Sequence, residues 1–219
     1  MRVLIYPSAL SKIIDFSGID LKKESAGFLV GKIIGKKIVI TDSTMTKHTS
    51  TAGYVVVDDT EMAEVAEELD ARGEGETIIG WWHSHPGMGA GFMSGTDLAT
   101  QQKYQKIFAQ ALALVIDPTT FFKTGKIEDL DYMLYTATPE GYKPVETEIA
   151  QNSNEILIST FKSIKSLRKD LQRVIQKSEQ NITSETAKKV RSTTEAHIII
   201  LTLWTITLLI TVTLIFLSL

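Results

Sequence analysis

Hydrophobic positions recur with two different periods along the first two thirds of the chain. Residues 2–6 form a short apolar run that predicts a strand. Pro7 and Ser8 then open a helix with Leu10, Ile13 and Ile14 at helical spacing. Residues 26–34 and 37–41 predict a hairpin across Gly35. Residues 59–72 carry Met62, Val65, Ala66 and Leu69 on one helical face, and Gly73 ends that helix. A dense apolar strand over 77–82 runs into His83, and a helix follows over 94–108. Residues 111–116 predict a buried strand ending at Asp117-Pro118, and 130–136 a last strand closed by Pro139 and Gly141. Strands and helices intermix, so the expected class is α/β (α+β), with one mixed sheet flanked by helices.

The pattern then changes. Residues 151–190 are polar, with an apolar seam at Leu157, Ile164, Leu167, Leu171 and Val174 that steps by three, four or seven. A helix is expected, which either forms a coiled-coil dimer or docks on the preceding domain. Residues 198–219 carry no charged side chain, and as a helix they span roughly 33 Å, enough for a hydrocarbon core of about 30 Å. With Lys188, Lys189 and Arg191 before it, this run predicts a single-pass transmembrane tail anchor that leaves the preceding domain cytoplasmic. The expected organisation is therefore a catalytic domain over 1–147, a basic helical linker over 148–195 and the anchor over 196–219.

Charge sharpens the boundaries. Residues 1–150 hold 14 Lys/Arg against 21 Asp/Glu, whereas 151–195 hold 9 against 5. The acidic first region argues against nucleic acid as a partner. With no cysteine in the chain, disulfides and thiolate metal sites are excluded, so any transition-metal site must draw on His, Asp and Glu.

One stretch offers such a site: His83-Ser84-His85-Pro86, then Ser94-Gly95-Thr96-Asp97. Two histidines two apart at a strand end share a face, so both imidazoles can reach one ion. Pro86 turns the chain, and Gly87, Gly89 and Gly91 make a flexible loop before Ser94 opens a helix. Three His and Asp ligands suit a catalytic zinc with one position left to water. The water needs a base, and Glu24 is the candidate. Each piece also has an ordinary explanation: Ser94 and Asp97 alone make a helix capping box, and Glu24 alone is a solvated charge.

Taken together, these residues resemble the signature of the JAMM (MPN+) zinc metalloprotease family. The resemblance rests on Glu24 with Gly27 and Gly31, on the run from Gly80 through His83, His85 and Pro86 to Gly87, and on Ser94 to Asp97 with Thr100-Gln101-Gln102. Val115-Ile116-Asp117-Pro118 falls where the family has such a strand end. The match covers roughly residues 1–140 and looks most like the proteasome-lid deubiquitinases and their archaeal relatives. It implies that His83, His85 and Asp97 bind Zn2+, that Glu24 acts as general base and then protonates the leaving lysine amine, and that Ser94 stabilises the oxyanion. It implies a substrate with an isopeptide bond after the Gly-Gly tail of ubiquitin or a ubiquitin-like protein, and an MPN partner; the membrane as the place of cleavage and a coiled-coil partner are expected instead from the C-terminal run and the 151–190 seam. Residues 49–57, with Tyr54 to Val57 strand-like, fall where the family pairs an inserted strand with that tail. Trp82 and Phe92 are candidate tail contacts, with a core position the alternative for Trp82. The family usually places six residues between the Pro and the Ser; here there are seven, 87–93. Two alternative functions stand beside this one: a non-catalytic MPN scaffold, and a zinc peptidase that processes a sulfur-carrier protein.

Overall fold

A computed structural model describes residues 2–46 and 59–151, most positions from 154 to 181, and further positions between 191 and 204. The elements in chain order are β1 (Arg2–Ile5), α1 (Pro7–Ser17), β2 (Ala26–Ile34), β3 (Lys37–Ser43), α2 (Asp59–Arg72), β4 (Thr77–Ser84), α3 (Gly95–Ile107), β5 (Leu112–Asp117), α4 (Thr119–Thr124), β6 (Asp131–Thr138), β7 (Gly141–Val145) and β8 (Thr147–Ile149). The mixed α/β arrangement predicted for this region is present.

Among the described residues, the eight strands join one sheet, in the order β7-β6-β5-β4-β2-β3-β1-β8. β2 and β3 form the expected hairpin, and β2 pairs antiparallel with β4 on its other side. β4 and β5 are parallel, joined by a crossover through α3. The two ends of the sheet are consecutive in the chain: β7 pairs with β6 and, one residue later, β8 pairs with β1. The sheet thereby curls back on itself and limits its exposed edges.

The strand pattern follows from two-sided burial. Leu112, Leu114 and Ile116 of β5 face a core with Ile5, Ile13, Leu29 and Ile40, while Ala113 and Val115 face a second core with Phe28, Trp81, Met93 and Tyr104. A strand buried on both faces reads as a continuous apolar run rather than an alternation. α1 begins at Pro7, whose fixed φ suits a first helical position, and buries Ala9, Leu10 and Ile13 in the first core. α3 sends Tyr104 into the second.

Two local expectations are revised. The chain does not end its sheet at 130–136: β7 and β8 follow, and α4 comes between β5 and β6. The transmembrane helix is also corrected. Residues 201–204 of the uncharged run are helical, and among the described residues no helix is long and apolar enough to cross a membrane. Residues 198–200 and 205–219 of that run lie outside the described residues, as does the expected insertion over 49–57. The chain divides into two compact units, 1–163 and 164–219. The second is helical at 167–169 and 171–178.

Candidate metal centre

β4 ends with His83 and Ser84, and His85 follows with its backbone N–H donating to the Ile116 carbonyl of β5 at 2.8 Å. The strand's alternation therefore continues far enough to put both imidazoles on one side. Their Nε2 atoms face each other at 3.0 Å. Asp97 Oδ2 lies 3.4 Å from each. All three side chains are buried, and their ligand atoms lie within 4.8 Å of one another.

Asp97 comes from the first turn of α3. Ser94 is the N-cap: its Oγ accepts the Asp97 N–H at 3.2 Å, and Asp97 Oδ2 accepts the Ser94 N–H at 2.7 Å. The capping box and the metal-type cluster thus use the same carboxylate, so one local motif fixes both. Glu24 approaches from the far side of β4. Ala26 pairs with His83, and Ser84 N–H donates to the Ser25 carbonyl, so the same register places Glu24 across from His85. Glu24 is buried at 6 % exposure.

The electrostatics differ residue by residue. Burial pushes the Glu24 carboxyl above its ordinary range; the His85 charge opposes this and the Asp97 charge adds to it. Burial pushes His83 down against the pull of Asp97, favouring neutral imidazole. Burial also acts to raise Asp97, but hydrogen bonds from His83 and His85 outweigh it and hold the carboxyl well below the usual range.

These residues fit a metal ion. Ligand atoms at 2.0–2.2 Å in a tetrahedral shell lie about 3.3–3.6 Å apart, close to the spacings here. The Nδ1 atoms of both histidines are buried with no partner among the described residues. Two Nε2 atoms facing each other can share only one proton, so the cluster holds more acceptors than donors. A cation would satisfy it, and nitrogen and oxygen donors suit zinc.

The family described as "JAB1/Mov34/MPN/PAD-1 ubiquitin protease" matches residues 1–110. The chain belongs to this family. Among curated JAB/MPN relatives, it is 36% identical over 146 residues to COP9 signalosome complex subunit 5 of Dictyostelium discoideum, covering 65% of this chain and 43% of the relative. It is 32% identical over 127 residues to the 26S proteasome regulatory subunit RPN11 of Encephalitozoon cuniculi, covering 57% and 42%. The JAB/MPN chain therefore spans about two fifths of the length of these relatives. A solved structure, the protein DSY2949 of Desulfitobacterium hafniense, superposes with a TM-score of 0.51 at 15% identity, over 69% of this chain and 94% of that one, a likeness of fold alone.

These relatives also correct the expected location, a single-pass tail anchor in a membrane. They are named as subunits of the COP9 signalosome and of the 26S proteasome, and no described helix of this JAB/MPN chain is long and apolar enough to cross a membrane. Trp82 takes the core alternative in the structure. It is fully buried in the first core, and its Nε1–H donates to the Thr44 carbonyl at 2.9 Å, so it is a packing residue rather than a tail contact. Phe92 is partly exposed and lies against the His85 ring, with centroids 4.8 Å apart.

The cluster has supports to which sequence assigns no role. Trp81 stacks on His83 with centroids 4.5 Å apart, and its Nε1–H donates to Gln101 Oε1 at 2.9 Å. Gln101 lies one turn after Asp97 on α3. This bond ties the helix that carries Asp97 to the strand that carries His83, one layer beneath the cluster. Only the family motif, which contains Gln101, hinted at it.

Proposed function

We propose that this chain is a zinc-dependent isopeptidase that removes ubiquitin or a ubiquitin-like modifier from conjugates. The observation that carries the reading is the convergence of His83, His85 and Asp97 on one point, with the buried carboxyl of Glu24 brought opposite by the β2–β4 register. Family membership and the printed names of the relatives support the same chemistry. Residues 1–147 form the catalytic domain in this reading, and 148–195 a helical extension.

His83, His85 and Asp97 would hold the zinc. When bound, zinc supplies a Lewis acid and lowers the pKa of a coordinated water to about 7. Neutral His83 presents a lone pair to it, and ionised Asp97 supplies the negative charge. Glu24 takes the proton of the attacking water and delivers it to the leaving lysine amine. A carboxyl raised toward the working pH is suited to both halves of that transfer. Ser94, fixed by its bond to the Asp97 amide, donates its hydroxyl to the oxyanion as the carbonyl becomes tetrahedral. A non-catalytic scaffold fits less well, because all five residues are retained.

The test is metal analysis and cleavage on the purified chain. About one zinc per chain and release of free modifier from a lysine-linked conjugate are expected. Linear fusions to a sulfur-carrier protein belong in the same panel. A chain that binds no zinc and cleaves nothing would sink the proposal.

A further inference from the structure

The segment between the two halves of the candidate centre, residues 86–93, is held from outside. At its far end stands Ser94. Three neighbouring strands each send polar side chains onto its backbone. Asp117, at the end of β5, accepts the Gly87 N–H on Oδ1 at 3.0 Å and the Gly89 N–H on Oδ2 at 2.8 Å. Its Oδ1 also accepts the Thr119 N–H at 2.9 Å. Asp131 of β6 accepts the Ala90 N–H at 2.8 Å, and Tyr135 of β6 donates to the Ala90 carbonyl at 2.7 Å. Tyr142 of β7 accepts the Met93 N–H at 3.1 Å.

Asp117 differs from the others in number and placement of bonds. It is buried at 8 % exposure, yet its carboxyl stays below the ordinary range: burial acts to raise it, and the amides of Gly87, Thr119 and Gly89 outweigh burial. Gly87 and Gly89 have φ of 75° and 82°, a left-handed backbone that turns alternate amides toward the same carboxylate. The carboxylate also stands next to the residue that receives the His85 amide, since Ile116 accepts that bond. One residue therefore fixes the loop close to its start and refers it to the strand beside β4. The bonds to Gly87 and Gly89 thus pin a loop one residue longer than the family pattern.

We propose that Asp117 is a positioning residue, which clamps residues 87–89 and so sets where Ser94 stands relative to His83 and His85. This rests on the isopeptidase reading for its catalytic consequence, but not for its structural one. Two readouts keep them apart. The first is amide exchange on the zinc-loaded chain. Asp117→Asn keeps the shape and loses one acceptor, so the Gly87 or Gly89 amide should exchange about tenfold faster, while β5 amides stay as in wild type. The second is a split of kinetic constants on a lysine-linked modifier conjugate. Here kcat should fall by ten- to about a hundredfold, KM should hold within about twofold, and zinc content should stay at wild-type level. Where D117N does not fold, Asp117→Ser, which retains one short acceptor, is measured in its place. Unchanged exchange at both glycines overturns the clamp. Acceleration across β5 as well as the loop makes Asp117 a general stability residue and overturns it too. A faster-exchanging loop with unchanged kcat overturns the positioning role. A wild-type chain that binds zinc but cleaves no conjugate refutes the isopeptidase reading, and the exchange measurement still decides the clamp.

Discussion

Replacing Gln101 by Leu tests how the two elements of the centre are held together. Gln101 is fully buried. Its Oε1 accepts the indole N–H of Trp81 at 2.9 Å, and its Nε2 donates to the Ala111 carbonyl at 2.7 Å and to Gln105 at 2.8 Å. Leucine is of similar size but offers none of these bonds. It strands the Trp81 donor and the Ala111 acceptor in a dry core, and each such orphan costs about 1–3 kcal/mol. Leucine's own burial offsets part of this, so a net loss of about 2–4 kcal/mol is expected. That is below the 5–15 kcal/mol or so of a typical domain, so the variant should still fold. Urea unfolding of metal-free protein measures it. Zinc affinity, from competition with a chelating dye, should fall as well, because Trp81 loses the bond that fixes its ring against His83. Trp81→Phe removes the donor instead, and the double variant should cost less than the sum of the singles, since neither the indole donor nor the Gln101 acceptor is then left without the other, although the Ala111 carbonyl still lacks its donor. A loss below about 0.5 kcal/mol for Gln101→Leu, or strict additivity in the cycle, would refute the reasoning.

Four further outcomes follow. Glu24→Gln should leave zinc bound and lower turnover by about a hundredfold or more, checked by metal analysis and steady-state kinetics. The same variant has a signed effect on stability. Because the Glu24 carboxyl is raised in the folded state, its contribution is full below the unfolded pKa and is lost as pH rises through the folded one. Metal-free Glu24→Gln should therefore be more stable than wild type at neutral pH and lose that advantage in acid; a pH-independent difference would count against the assignment. Gly27→Ala should destabilise by about 1–3 kcal/mol or more in thermal melts, since its Cβ would stand 1.8 Å from the Thr44 carbonyl oxygen and 2.5 Å from Trp82 Nε1. Chelation of zinc should lower the melting temperature, by an amount equivalent to about 2.7 kcal/mol when free zinc had been at a hundred times its Kd.

Much of the site was legible because its parts are local. A His-x-His at a strand end must share a face, and Ser-x-x-Asp at a helix start must form a capping box. Glu24 was harder: its place depends on the register of β2 against β4, which no local pattern encodes. Family resemblance supplied the link. Asp117 and Gln101 were visible as motif members without a role, because the partners that tie them to the centre, Gly87 and Gly89 for one and Trp81 for the other, lie 20 or more residues away in the chain. The fold shows the same division. β5, buried on both faces, reads plainly from its apolar run. β7 contains Pro144 and alternates weakly, and β8 is three residues long, so their pairing depends on the closing sheet rather than on sequence pattern. Trp82 was ambiguous because it adjoins Trp81, and only packing shows that one ring supports His83 while the other fills the opposite core. The run near the C-terminus carried the membrane expectation by its length, its lack of charge and its basic flank, and these do not establish a spanning helix.

The most direct test of the central claim is hydrolysis of a lysine-linked ubiquitin-like conjugate by zinc-loaded wild type and by Glu24→Gln, with metal content measured on the same samples. The account predicts about one zinc in both and free modifier only from wild type. Equal cleavage by the two proteins, or wild type that holds no zinc yet cleaves, would contradict it.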